Sequence, residues 1–335
     1  MRCTWPPSDS NFGSASALAA LRPKGAGVLC GWVLSGKASG CEARRRVCER
    51  PLHDPPDRRA DGRTVVMRRP PREFTASLAR EIAPDVFCPG PWGRTQTDVY
   101  FVRSGSSWVL IDAGWANDAS RIERAAESLF GAESRPAAIL LTHCHPDHAG
   151  SALRLARTWD CAVYMHPDEL PIATGDFAAM VASAGPLDRW VILPLMRAMG
   201  RRRREAVLAR SSLGVVARTF EPDSRVPGLP GWECIPTPGH TPGHVSYFRP
   251  ADRVLITGDA LVTMKINTRA GLLLQRPGLS GPPWYTTWSR RAARESVDRL
   301  ARLEPAVLAG GHGKPMTGTQ TAAVLSAFAG LAMDG

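Results

Sequence analysis

Residues 142–148 read Thr-His-Cys-His-Pro-Asp-His, so three histidines and an aspartate fall within six positions of a chain that has eight histidines in all. Neutral imidazole and carboxylate are ligands for zinc and other first-row divalent metals. His143 and His145 are two apart, which in an extended segment turns both rings to one side. Pro146 makes the chain turn, so Asp147 and His148 can face a second point nearby. A cation held by three such ligands, with one position open, lets a bound water ionise near neutral pH. Cys144 lies between the two histidines, and alternation turns it away from them.

The same grammar recurs downstream. Apolar runs end in "CIPTPGH" at 234–240, "VLITGD" at 254–259 and "VLAGGHG" at 307–313, each closing on His240, Asp259 or His312. Loops at strand ends are where layered folds build their sites, because they converge over a rigid sheet.

These loops need strands and helices to hold them. "DVFCPG" and "TDVYFVRSGSSWVLIDAGW" read as strands, with "SGSS" as a hairpin turn. Residues 118–130 place Ile122, Ala125, Ala126 and Leu129 at helical spacing, with Asp118 as N-cap and Gly131 as stop. "AAILL", "SALRLARTW" and "CAVYM" follow as strand, helix and strand. Later come two strands around the Pro/Gly loop of "WECIPTPGHTPGHVSYF" and one in "DRVLITGDAL". A helix over "SRRAARESVDRLARLEP" carries Ser289 as cap and turns Ala293, Val297, Leu300 and Leu303 inward, and a last strand lies in "AVLAGGHG". Alternating strands and helices predict an α/β, layered fold.

"THCHPDHAG", then "TPGHTPGH", "TGD" and "GGHG", in that order, resemble the motifs of the metallo-β-lactamase-fold hydrolases. The likeness spans about residues 85–315 and is nearest to the glyoxalase II-like and lactonase-like branches. It implies a four-layer αβ/βα sandwich with two metals at one edge. By the same resemblance His143, His145 and His240 hold one metal, Asp147, His148 and His312 the other, and Asp259 bridges them. Asp112, in "LIDAG", and His244 then support the site from behind the ligands, and Asp147 is the catalytic residue that orients the nucleophile and accepts its proton. The expected function is dinuclear zinc-dependent hydrolysis of an ester, thioester or lactone of a small metabolite, with Fe or Mn as alternative metals. Two alternatives stay open on the same residues: a mononuclear-iron sulfur dioxygenase-type oxidoreductase and a nucleic-acid phosphodiesterase. Tyr164, Tyr247 and Tyr285 are candidate proton donors, and His166 reads as structural.

Composition bounds the rest. Residues 1–73 carry 14 of the 42 Lys/Arg against 7 of the 31 Asp/Glu, and so hold most of the net charge of +11. That segment has no sustained period and is rich in Pro, Gly and Arg. It reads as a disordered or non-native basic extension, with Met67 as a candidate true start. Residues 74–335 form the expected hydrolase domain. Within it 166–220 reads as a helical insertion with kinks near Pro194 and Gly200, placed to cap the substrate. Its apolar half, with Trp190, Ile192, Leu193 and Met199, fits an apolar acyl or lactone substrate and equally core packing or a dimer contact, and Arg201–Arg204 reads as a solvated helix end, with an anionic membrane-surface or substrate contact as the alternative. The eight cysteines form no Cys-x-x-Cys pair, which argues against a disulfide scaffold. No run of about 18 apolar residues and no export signal is read, so a cytoplasmic protein is expected, with a small-molecule substrate, no stable nucleic-acid partner and a possible homodimer.

Overall fold

The computed structural model describes residues 78–333. The expectations for residues 1–73, and for Met67, lie outside the described residues.

The first half builds a seven-stranded sheet in the order β1 to β7. Strands β1 (Arg80–Ala83), β2 (Val86–Cys88), β3 (Tyr100–Ser104) and β4 (Ser107–Ile111) form an antiparallel meander. Gly105, at φ +59°, makes the two-residue turn between β3 and β4. The sheet continues in parallel through β5 (Ala138–Leu140), β6 (Val163–Met165) and β7 (Ala217–Thr219). Helices α1 (Ala119–Phe130), α2 (Pro146–Ala149) and α3 (Ala152–Trp159) fill the crossovers. Asp118 stands at the N-cap position of α1, but its side chain does not cap the helix. It accepts instead from the Trp115 N–H at 3.0 Å, which bends the loop after β4.

The segment between β6 and β7 is helical over most of its length. A 3-10 turn (Pro167–Glu169) leads into α4 (Leu170–Ala173) and α5 (Phe177–Ala182), then a π-helical turn (Asp188–Ile192), α6 (Leu193–Ala198) and α7 (Arg201–Ser211). Gly200, at φ +80°, separates α6 from α7. The expected insertion of 166–220 does not stay helical to its end: residues 217–219 are β7, the edge strand that pairs with β6. Arg201, Arg202 and Arg203 are exposed, whereas Arg204 lies 4.2 Å over the Phe177 ring.

The second half forms a five-stranded sheet in the order β14–β13–β10–β9–β8. Its strands are β8 (Glu233–Pro236), β9 (Val245–Arg249), β10 (Val254–Gly258), β13 (Val307–Gly310) and β14 (Met316–Thr317). Strands β11 (Val262–Met264) and β12 (Pro277–Ser280) make a separate pair. Helices α8 (Arg269–Leu273), α9 (Arg290–Ala301) and α10 (Thr321–Met333) complete the chain. Ser289 caps α9 by accepting from the Ala292 N–H.

The period of two along each strand sorts the apolar residues into three layers of core. Phe101, Leu110 and Ile139 pack under α1 and α3. Tyr100, Val102, Ile111 and Leu140 point the other way and meet Val245, Tyr247, Val254 and Ile256 of the second sheet. On the far face Phe248, Leu255 and Leu308 pack against Val297, Leu300 and Leu325 of α9 and α10. The result is the αβ/βα sandwich. Two tyrosines tie the sheets across this interior: Tyr100 donates to the Gly310 carbonyl at 2.6 Å and Tyr247 to the Leu141 carbonyl at 3.1 Å.

Candidate metal centre

Five loops meet at one edge of the sandwich, following β4, β5, β8, β10 and β13. The β5 loop runs extended through His143 and His145, and then Pro146 starts the single turn of α2. That turn places Asp147 and His148 beyond the two histidines, as the proline predicts. Its backbone is anchored on both sides. Asp112, just after β4, accepts from the Thr142 N–H at 2.8 Å, and the Thr142 carbonyl accepts from the Val245 N–H at 2.9 Å.

Six of the seven candidate ligands fall into two groups, and a third set, His143, His148 and Asp259, overlaps both. Donor atoms of His143, His145 and His240 lie within 4.8 Å of one another, and so do those of Asp147, His148 and His312. Asp259 stands between the groups. Its Oδ2 is 3.3 Å from His240 Nε2, and its Oδ1 is 3.3 Å from both His148 Nε2 and His312 Nε2. Asp147 Oδ2 lies 3.4 Å from His312 Nε2. Five of the seven are buried, and His145 and Asp147 are the two that reach partly to solvent.

The donors fit divalent cations. His148 Nε2 and Asp259 Oδ1 are buried polar atoms with no hydrogen-bond partner, and they face each other. Such atoms are costly unless something charged lies between them. Burial, and then the neighbouring histidines, push His143 and His240 well below the usual histidine pKa and hold the rings neutral, the form that binds metal. In the other group burial also opposes charge, but the carboxylates prevail. Asp259, Asp112 and Asp147 hold His148 well above the usual value, and Asp259 and Asp147 raise His312. The carboxylates thus favour positive charge there, which a bound cation would supply.

Buried groups behind the ligands fix their aim. His148 Nδ1 bonds Asp112 Oδ2 at 2.8 Å, which leaves Nε2 to face the centre. His244 accepts from the Asp259 N–H at Nε2 (3.1 Å) and shares its Nδ1 with Thr237 Oγ1 (2.8 Å). Two glycines let these groups close in. Gly258 has φ +49°, and a Cβ there would stand 2.6 Å from Thr142 Oγ1. A Cβ on Gly311 would collide with the Asp259 carboxylate.

One residue absent from the sequence reading ties the arrangement together. Glu169 is fully buried, and its carboxylate accepts from the Cys144 N–H (2.8 Å), the Thr241 hydroxyl (2.6 Å) and the Gly243 N–H (3.1 Å). It clamps the loop of His143 and His145 to the loop of His240. The available signal was its place at a strand end, four residues after Met165. Asp98 was missed as well. Its N–H donates to the Gly311 carbonyl at 2.9 Å beside His312, and burial raises its carboxyl well above the usual range.

The remaining candidates fall outside the cluster. Cys144 turns its Sγ to Met165 Sδ at 3.7 Å. His166 caps the 3-10 turn by accepting from the Asp168 N–H. Tyr247 spends its hydroxyl on Leu141, and Tyr164 packs edge-on to Phe220. The Tyr285 hydroxyl feels Asp259 and Asp147, and burial together with those charges raises it to about 12. Beside His145 a cavity of about 360 Å³ opens between Trp115, Pro146 and the helices that precede β7. Of the apolar residues read in that segment, Ile192 and Leu193 line it, while Trp190 is 77 % exposed.

Residues 92–312 match the model of the metallo-beta-lactamase superfamily. The chain is 38 % identical over 236 residues to the probable metallo-hydrolase YflN of Bacillus subtilis (strain 168), covering 66 % of this chain and 82 % of that protein. Among solved structures it resembles the metallo-beta-lactamase family protein TTHA1429 from Thermus thermophilus (TM-score 0.52, 20 % identity, 76 % of this chain and 81 % of that one). It also resembles a metallo-beta-lactamase from Pontibacter korlensis (TM-score 0.52, 15 % identity, 77 % of this chain and 99 % of that one). These two likenesses concern the fold. Among the described residues no helix is long and apolar enough to cross a membrane.

Proposed function

The chain belongs to the metallo-beta-lactamase superfamily and is a metal-dependent hydrolase, and from that premise we propose that it holds two zinc ions and cleaves an ester, thioester or lactone bond of a small metabolite. The observation that carries the reading is Asp259, which offers one carboxylate oxygen to each ligand group. His143, His145 and His240 would hold one ion and Asp147, His148 and His312 the other. Bound there, the cations would supply a water ionised near neutral pH and a Lewis acid for the scissile carbonyl.

The chain's own residues do the rest. Asp147 is 18 % exposed at its side chain, against 3 % for Asp259, so it is the carboxylate that can meet a substrate. It orients the attacking water and accepts its proton. Asp112 and His244 keep His148 and Asp259 from turning as charge moves. The Tyr285 hydroxyl lies in the field of Asp259 and Asp147 and stays protonated at neutral pH, which makes it the candidate donor to a leaving oxygen. A panel of thioesters, lactones and phosphodiesters against zinc-loaded protein tests this. Acyl substrates should turn over, and Asp147→Ala should cost about 10²- to 10⁴-fold in kcat. Preference for phosphodiesters, or one iron per chain with oxygen uptake, overturns it.

A further inference from the structure

We propose that the cavity beside His145 is an acyl-chain site, so that the scissile bond joins a medium-chain fatty acyl group of roughly eight to ten carbons. This rests on the hydrolase reading above and names its substrate. His145, a candidate ligand, lines the cavity. Six apolar side chains line it with His145: Ile172, Met180, Ile192, Leu193, Leu208 and Leu213, all from the helical segment before β7 and the loop that follows α7.

The polar groups on this wall are few, and they are committed. Ser183 donates to the Ala179 carbonyl at 2.9 Å and Ser211 to the Leu208 carbonyl at 3.2 Å, each inside its own helix. The one carboxyl in the lining, Asp188, lies in the field of His145. A sugar, a peptide or a phosphate among the six apolar side chains would leave its polar groups without partners. A methylene chain leaves none. The volume sets the length. At about 30 Å³ per water-sized group, 360 Å³ takes about twelve such groups, which leaves room for eight to ten carbons once the carboxyl oxygens and the open mouth are allowed for. The carbonyl then sits at the edge where His145 and Asp147 are the two partly exposed members of the cluster.

Two measurements on the zinc-loaded full chain test this. The first is kcat/KM for p-nitrophenyl esters from acetyl to dodecanoyl. It should climb about two- to fourfold per methylene up to eight to ten carbons and then stop climbing. The second is calorimetric titration with butyrate and decanoate. Both carry the same carboxylate, so any difference reads the chain alone, and decanoate should bind at least tenfold tighter. Met180→Trp and Leu208→Trp, on separate walls, should each lower the decanoyl-to-butyryl ratio of kcat/KM at least tenfold. Ester hydrolysis with a flat length profile and equal binding of the two acids overturns the acyl site and leaves the hydrolase reading standing. Tighter binding of decanoate with no ester, thioester or lactone cleaved upholds the acyl site and overturns the hydrolase reading.

Discussion

Replacing Glu169 by Gln should loosen the site without touching a ligand. The carboxylate accepts three hydrogen bonds from two loops, at 2.8, 2.6 and 3.1 Å. A Gln can keep its oxygen toward Thr241 and Gly243, which share Oε1. Its amide then presents N–H groups to the Cys144 N–H, where Oε2 now accepts. One bond to a charged acceptor is lost, and a buried donor is left facing another donor, for about 2–3 kcal/mol. The described domain unfolds at the cost of about 2–4 °C per kcal/mol, so Tm should fall by about 5–10 °C. The first metal group should suffer too, because Glu169 holds the His143–His145 loop against the loop of His240. Zinc affinity should drop about tenfold or more. Thermal denaturation by circular dichroism and zinc competition with a chromophoric chelator read the two effects. Thr241→Val removes one of the same bonds, so a double-mutant cycle with Glu169→Gln should show coupling of about 1 kcal/mol. If the Glu169→Gln protein melts within 1 °C of the wild type and keeps its zinc affinity, the clamp assigned to Glu169 is wrong.

Other expectations follow from the same contacts. Asp112→Asn should weaken zinc about 10- to 100-fold, because His148 loses the partner that fixes its tautomer; unchanged zinc competition would count against that role. Zinc at about 1,000 times its dissociation constant should add about 4 kcal/mol and raise Tm by about 8–16 °C, and a chelator should reverse it; a Tm indifferent to zinc refutes the metal centre. His244 gives a pH dependence of definite sign. Burial pushes its pKa down from 6.5 to about 3, so the native state keeps it neutral while the unfolded chain takes up a proton. Its contribution is complete above pH 6.5 and is lost as pH falls from there toward 3. In metal-free protein, His244→Gln should flatten the loss of stability with acid by up to about 1.4 kcal/mol per pH unit; equal slopes would show that His244 does not stay neutral.

The candidate ligands could be read from the sequence because their constraints are local. Alternation in an extended run, a proline that forces a turn and a glycine before each of His240, Asp259 and His312 act over a few residues, so they leave a mark in the text. An α/β, layered fold followed from the alternation of strands and helices, whereas the αβ/βα layer order came from the resemblance of the ligand motifs to the metallo-β-lactamase-fold hydrolases. What stayed hidden depends on residues brought together from far apart in the chain. Glu169 meets Cys144 from 25 positions away and Gly243 from 74. No short-range period marks such a residue, and nothing but a buried trio of donors makes a carboxylate necessary there. Edge strand β7 was hidden because three residues, "ART", carry too little pattern to be told from loop. The glycines of "TGD" and "GGHG" show the division most plainly. Their presence was legible, but their reason, that a Cβ would strike Thr142 or Asp259, exists only once two sheets have packed. The cavity wall belongs to the same class. Leucines and methionines look alike in a core and in a pocket, and only the packing of the helices before β7 decides which of them face empty space beside His145.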